Sequence, residues 1–218
     1  MASRGHTADD VARTALRLLD DHGLPDLTMR RLAGALEVQP SALYWHFANK
    51  QTLLAELSDR IVARMTPGRP ALPADSASDT DGGAAGRGPA SEDDGADPAA
   101  SGIRSVAREA AALRDALLAY RDGAEVVSST LALGLGGSTA RDRLSRAVRQ
   151  DGVDAADADR AATTLLHFVL GHAWHEQQRM QYDSAGARLD DGRASTASAD
   201  FAFGVDVIVA GLRARAPR

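Results

Sequence analysis

The sequence predicts an all-α protein, with a short three-helix unit at the N-terminus and a larger helical unit after it. Three observations carry this expectation. Alanine, the best helix former, recurs along all 218 residues, and β-branched runs are few. Apolar residues in the segments opening at Thr7 and at Phe201 return at helical spacing. Residues that start or stop helices stand at the ends of such segments, among them Thr7, Gly23, Thr28 and Pro40. An apolar content of 44% suits a folded chain of one or two domains, and with aromatics at 4% the core must be Ala, Leu and Val.

The first helix runs from Thr7 to Gly23. Thr7 caps it, Asp9 and Asp10 suit its positive end, and Gly23 suits a left-handed exit. Val11, Ala15, Leu18 and Leu19 form its apolar stripe. Thr28 opens a short second helix that buries Leu32, Ala33 and Leu36. Glu37-Val38-Gln39 reads as a tight turn, and Pro40 sits where a first helical residue belongs, opening a third helix over 40–47. A connecting helix over 51–66 carries Leu53, Leu54, Leu57 and Ile61. Residues 67–102, rich in Pro, Gly, Ala, Ser and Asp, lack the large apolar groups needed to fold and read as a flexible acidic loop. A second unit spans 103–218, with helices over 103–119, after Arg121-Asp122-Gly123, over 138–150 and over 157–182. A loop is expected over 183–197, and a last helix carries Phe201, Val205, Ile208, Val209 and Leu212.

Charge and composition narrow the function. The net charge of −5 is concentrated in 67–102, where seven acids face two arginines, so the folded parts together are neutral. The absence of cysteine removes disulfides, thiolate catalysis and thiolate-ligated zinc. With no signal-like N-terminus and no apolar run of membrane length, the expected location is the cytoplasm.

Two short helices joined by a tight turn, with Leu32, Ala33, Val38 and Leu43 at the joint, suit a helix-turn-helix over residues 1–50. Its second helix would present Gln39, Ser41, Tyr44 and His46 to the DNA major groove. Arg30 would reach a guanine edge, and Lys50 a phosphate beside a helix start. The same pattern also suits a plain three-helix bundle whose polar residues are merely solvated. Residues 1–50 carry six basic and six acidic side chains, so DNA binding requires the cations to be clustered rather than numerous.

The run Gly23-Leu24-Pro25-Asp26-Leu27-Thr28-Met29-Arg30-Arg31-Leu32-Ala33, followed by Leu43-Tyr44-Trp45-His46-Phe47-Ala48-Asn49-Lys50, resembles the signature of TetR-family repressors. The resemblance implies a DNA surface made of Thr28, Arg30, Gln39, Pro40, Ser41, Ala42, Tyr44, His46 and Lys50, with Trp45 and Phe47 facing both DNA backbone and core. In the second half, Tyr120-Arg121-Asp122-Gly123-Ala124-Glu125-Val126, His167-Phe168-Val169-Leu170-Gly171 and Phe201-Ala202-Phe203-Gly204-Val205 are similar to the tetracycline repressor subclass. This implies a homodimer that binds a palindromic operator, is released by a small organic effector, and pairs its long helix and last helix with their copies.

One departure bears on the effector. The subclass holds its drug as a magnesium chelate through a histidine and a glutamate, and the corresponding positions here are Val127 and His175. Valine has no donor atom, and magnesium prefers oxygen ligands to imidazole. An organic effector held without metal is therefore expected, contacting Val127, Ser128, Thr130, His172 and His175, with no cofactor. The alternative is a metal-dependent hydrolase using His172, His175 and Glu176. It lacks a third ligand on the same helix face, since His167 lies five residues before His172.

Overall fold

The computed structural model describes residues 6–66, 98–184, 186 and 191–215, and all regular structure among them is helical. The head of the molecule contains α1 (Ala8–His22), α2 (Met29–Ala35) and α3 (Pro40–Leu43). Thr7 caps α1 in a reciprocal box, its hydroxyl accepting from the Asp10 amide while the Asp10 carboxylate accepts from the Thr7 amide. Gly23 leaves α1 with φ of 83°, a conformation that other residues reach only at a cost. Thr28 caps α2, and Glu37 makes the left-handed turn into α3 with φ of 56°. Leu19, Leu27, Leu32, Leu43 and Phe47 close the interior of the head.

The third helix is shorter than the expected 40–47. After Leu43 the chain tightens, with the His46 amide bonding the carbonyl only three residues back. That winding ends the element so that Asn49 can cap α4 (Lys50–Ala63), through a second reciprocal box with Thr52.

α4 carries the head onto a body of five helices among the described residues: α5 (Pro98–Leu118), α6 (Gly123–Ala132), α7 (Ser138–Gln150), α8 (Ala155–Ser184) and α9 (Asp191–Arg215). Leu113, Leu117, Leu144 and Leu165 are fully buried at its centre amid small side chains such as Ala110, Ala116 and Ala162. α5 starts at Pro98, so its first turn takes in residues expected in the acidic loop. The rest of that loop, 67–97, lies outside the described residues. α8 extends to Ser184 and α9 begins at Asp191, shortening the loop expected over 183–197. Residues 193–199 lack large apolar groups, and one tie to α8 on this stretch is the His172 Nε2 at 3.1 Å from the Ala197 carbonyl. No helix among the described residues is long and apolar enough to cross a membrane.

Head and body are joined at defined points. Asp122, buried and itself left-handed at φ of 55°, accepts the Leu24 amide at 2.8 Å and the Gln181 amide group at 2.6 Å. Asp20 accepts the Arg121 amide at 3.1 Å. Further along α4, Asp59 accepts the Gly137 amide at 2.7 Å. Arg143 donates to the Met65 carbonyl at 2.6 Å while pairing with Glu109 at 2.8 Å.

Candidate functional site

The head presents a polar surface from a buried base. Leu43 and Phe47 point inward from and just beyond α3, which leaves Gln39, Pro40, Ser41, Tyr44 and His46 exposed, with Ala42 half-buried among them. Tyr44 is 51% exposed. Trp45 and Phe47, expected to face both DNA backbone and core, divide between the two: Trp45 is 88% exposed, the barest large apolar side chain among the described residues, and Phe47 is buried. The signal for this was the spacing of Leu43 and Phe47, four residues apart on one helical face, which leaves Trp45 on the opposite side.

Several acids of the head are already engaged. Asp9 pairs with Arg13 and Arg60, Asp10 with Arg13, and Asp26 with Arg31. Arg60 is held charged more firmly than usual, chiefly by its bond to Glu56. Arg30 is exposed and forms no ion pair among the described residues. Lys50 is half-buried at the start of α4, with its ammonium 3.5 Å from the Leu24 carbonyl. Thr28 remains exposed, although its hydroxyl serves the Arg31 amide. Arg30 in the first turn of α2 and Lys50 at the start of α4 are thus cations of the head without an ion pair among the described residues, as is Arg17 on α1.

In the body, the five expected effector residues do not share one surface. Val127 is fully buried, and Thr130 is buried with its hydroxyl donating to carbonyls of its own helix at 3.0 and 3.1 Å. Ser128 lines a cavity of about 550 Å³ between α6 and α8, together with Ser129, His167, Gly171 and Trp174. His175 stands exposed on α8, edge-on to the Trp174 ring at 5.0 Å. His172 faces the other way, its Nε2 3.1 Å from the Ala197 carbonyl and its ring against Phe168 and Phe201.

These positions do not fit a magnesium chelate, because the valine at the expected ligand position lies in the packed core. The groups of the hydrolase alternative are also engaged elsewhere. Glu176 accepts two bonds from the Arg114 guanidinium, at 2.6 and 3.0 Å, and no cluster of three or more His, Cys, Asp or Glu among the described residues could hold a metal ion.

With this geometry in place, comparison with known proteins is informative. Residues 12–57 match the family model of bacterial regulatory proteins of the tetR family, and residues 96–194 match the tetracyclin repressor-like C-terminal domain. The tetracycline repressor protein class C of Escherichia coli is 36% identical over 189 residues, 86% of this chain and 73% of that protein. The crystal structure of Mycobacterium smegmatis BioQ is 38% identical with a TM-score of 0.73, covering 96% of this chain and 98% of that one. BioQ crystallised with its natural double-stranded DNA operator is 35% identical with a TM-score of 0.68, covering 95% and 98%. TetR-Q116A from Acinetobacter baumannii AYE in complex with minocycline is 26% identical with a TM-score of 0.65, covering 98% and 99%. The chain belongs to the tetR family of bacterial regulatory proteins.

Proposed function

We propose that this protein is a cytoplasmic transcriptional repressor that binds a palindromic operator as a homodimer and is released by a small organic effector. The observation that carries the DNA reading is the exposed row Gln39, Ser41, Tyr44, Trp45 and His46 on and flanking the short helix α3, anchored by buried Leu43 and Phe47. A helix of that kind enters the major groove and presents side chains to base edges, while flanking cations position the backbone. We assign Thr28, Arg30, Gln39, Pro40, Ser41, Ala42, Tyr44, His46 and Lys50 to this surface, and add Trp45. BioQ, similar over nearly the whole chain, is a protein with a DNA operator, and this supports the reading.

The dimer surface is the outward face of α8 and α9, where Trp174, Phe203 and Val207 are exposed. Apolar side chains of that size in a row favour burial against a second copy. For the effector we assign the cavity between α6 and α8, with Ser128 and His167 on its wall and Val127 and Thr130 in the helix behind it, while His175 stands exposed on α8 and His172 is turned to α9. The minocycline complex of a similar protein supports a ligand of that bulk. The function is binding rather than catalysis.

Tyr44→Ala and Lys50→Ala each test the assignment by gel shift at fixed salt. Operator affinity should fall by about tenfold or more in a dimer that still folds, because phosphate contacts dominate affinity. Wild-type affinity in both variants would refute the surface. Titrating tetracycline against the protein–operator complex with and without magnesium tests the effector, and release that depends on magnesium would refute the metal-free reading.

A further inference from the structure

A second groove, of about 570 Å³, runs between α5 and α9. Its volume falls in the range of small-molecule sites, about 300–1,000 Å³. We propose that this groove binds an elongated organic anion, its carboxylate held by Arg104 and Arg108 and its apolar body lying along Ala107, Ala111, Phe201 and Val205.

The length comes from the helix. From Arg104 to Asp115 the α5 wall rises about 16 Å at 1.5 Å per residue, so the site is a trough rather than a bowl. Alanines leave the floor shallow enough for a chain to lie along it. The Phe201 ring is fixed by the Phe168 ring at 5.7 Å and by the Arg114 guanidinium 5.3 Å from its centre.

The polarity comes from the charges. Arg114 is neutralised by Glu176 and forms part of the wall. Arg104 and Arg108 stand one helical turn apart and make no ion pair with a described residue. The Arg108 Nε is tied to the Arg104 carbonyl at 2.9 Å, which leaves its terminal nitrogens as a fork for a carboxylate. Asp115 lies eleven residues further along α5, where burial raises its pKa, and Asp206 stands on the α9 wall. These acids oppose a second negative group, so the ligand carries its charge at one end.

The groove stays open when the outward face of α9 is covered. At 100° per residue, Ala202 and Asp206 on the groove side lie roughly 100° around the helix from Phe203 and Val207. The site is separate from the α6–α8 cavity and stands independently of release from DNA.

The test is isothermal titration of the full-length protein with decanoate, decanol and decylammonium. Decanoate should bind saturably, with decanol and decylammonium at least about tenfold weaker. Two variants at exposed positions, Arg104→Gln/Arg108→Gln and Ala111→Trp, should each weaken decanoate by about tenfold while keeping the wild-type melting temperature. Absence of saturable decanoate binding, equal binding by Ala111→Trp, or decylammonium binding as tightly as decanoate would each overturn the proposal.

Discussion

At the scale of the residue, Asp122 does more than its position in a loop suggests. Its two carboxylate oxygens serve the Leu24 amide of the head and Gln181 of α8, and a Cβ on Gly23 would come within 2.7 Å of one of them. Asp122→Ala leaves a buried amide without an acceptor and places alanine in a left-handed conformation. It should cost about 2–4 kcal/mol, read as a fall in melting temperature. Asp122→Asn, which tolerates the backbone and keeps one oxygen, should lose clearly less. Equal melting of wild type and Asp122→Ala would mean that the joint contributes nothing. A second prediction concerns Asp10, whose carboxyl is held down to about 2, first by the Thr7 amide and then by the Thr7 hydroxyl. A carboxylate with a depressed folded pKa stabilises above its unfolded pKa of about 4 and loses that contribution as pH falls towards 2. Acid unfolding of Asp10→Asn should therefore be flatter than wild type across that window, and a parallel profile would contradict the cap.

At the scale of the element, the helices readable in the sequence were those with both a cap and a stripe. Thr7 with Asp10 and Thr28 with the Arg31 amide stand where their residue types predict, because a cap is a local bond among neighbours. What local pattern could not supply was the end of α3, where winding tightens so that Asn49 can cap the next helix, or the start of α9 at Asp191, where no large apolar residue marks the helix before Phe201. The same limit applies to the site. The residue types expected at the DNA surface are exposed or half-buried on the head, whereas Val127 and Thr130 face the core and Ser128 a cavity because of the way α6 is rotated against α8. That rotation depends on long-range packing, such as Gln177 accepting the Ala124 amide at 3.2 Å. α9 also has a tight point, since a Cβ on Gly204 would lie 2.3 Å from the Phe168 ring. Gly204→Ala must displace that ring from its stack on Phe201 and should destabilise by about 1–3 kcal/mol. An unchanged melting temperature would show that the ring moves freely.

At the scale of the whole molecule, the proposed operator binding rests on a second copy. Phe203 is 71% exposed and Val207 54%, so a charge at either position does not disturb the protomer's own core. Phe203→Asp/Val207→Asp should sediment as a folded monomer and bind a full operator at least about tenfold more weakly, having lost the effective concentration that links two heads. A variant that remains dimeric would move the interface elsewhere. α4 is one member through which body and head meet, beside the Asp122 and Asp20 joints. Its flank is held to the α6–α7 turn through Asp59, and its end to α7 through the Arg143 bond at Met65. Arg143→Gln removes the charge-assisted bond and should alter operator affinity more than Arg141→Gln, whose arginine is exposed on the same helix. Identical gel shifts for the two would deny α7 that influence.

The Asp122 corner also sets a rule for recombination. A head taken from another protein and grafted onto this body inherits a socket rather than a hinge. It must present a residue without a side chain where Gly23 stands, followed by a free backbone N–H where Leu24 stands, or Asp122 is left pressed against a Cβ or facing a missing donor. Chimaeras that exchange residues 1–50 should therefore sort by two positions outside the reading helix. Donors with glycine and a non-proline successor there should yield stable hybrids, and those without should not, however well their reading helices match the target.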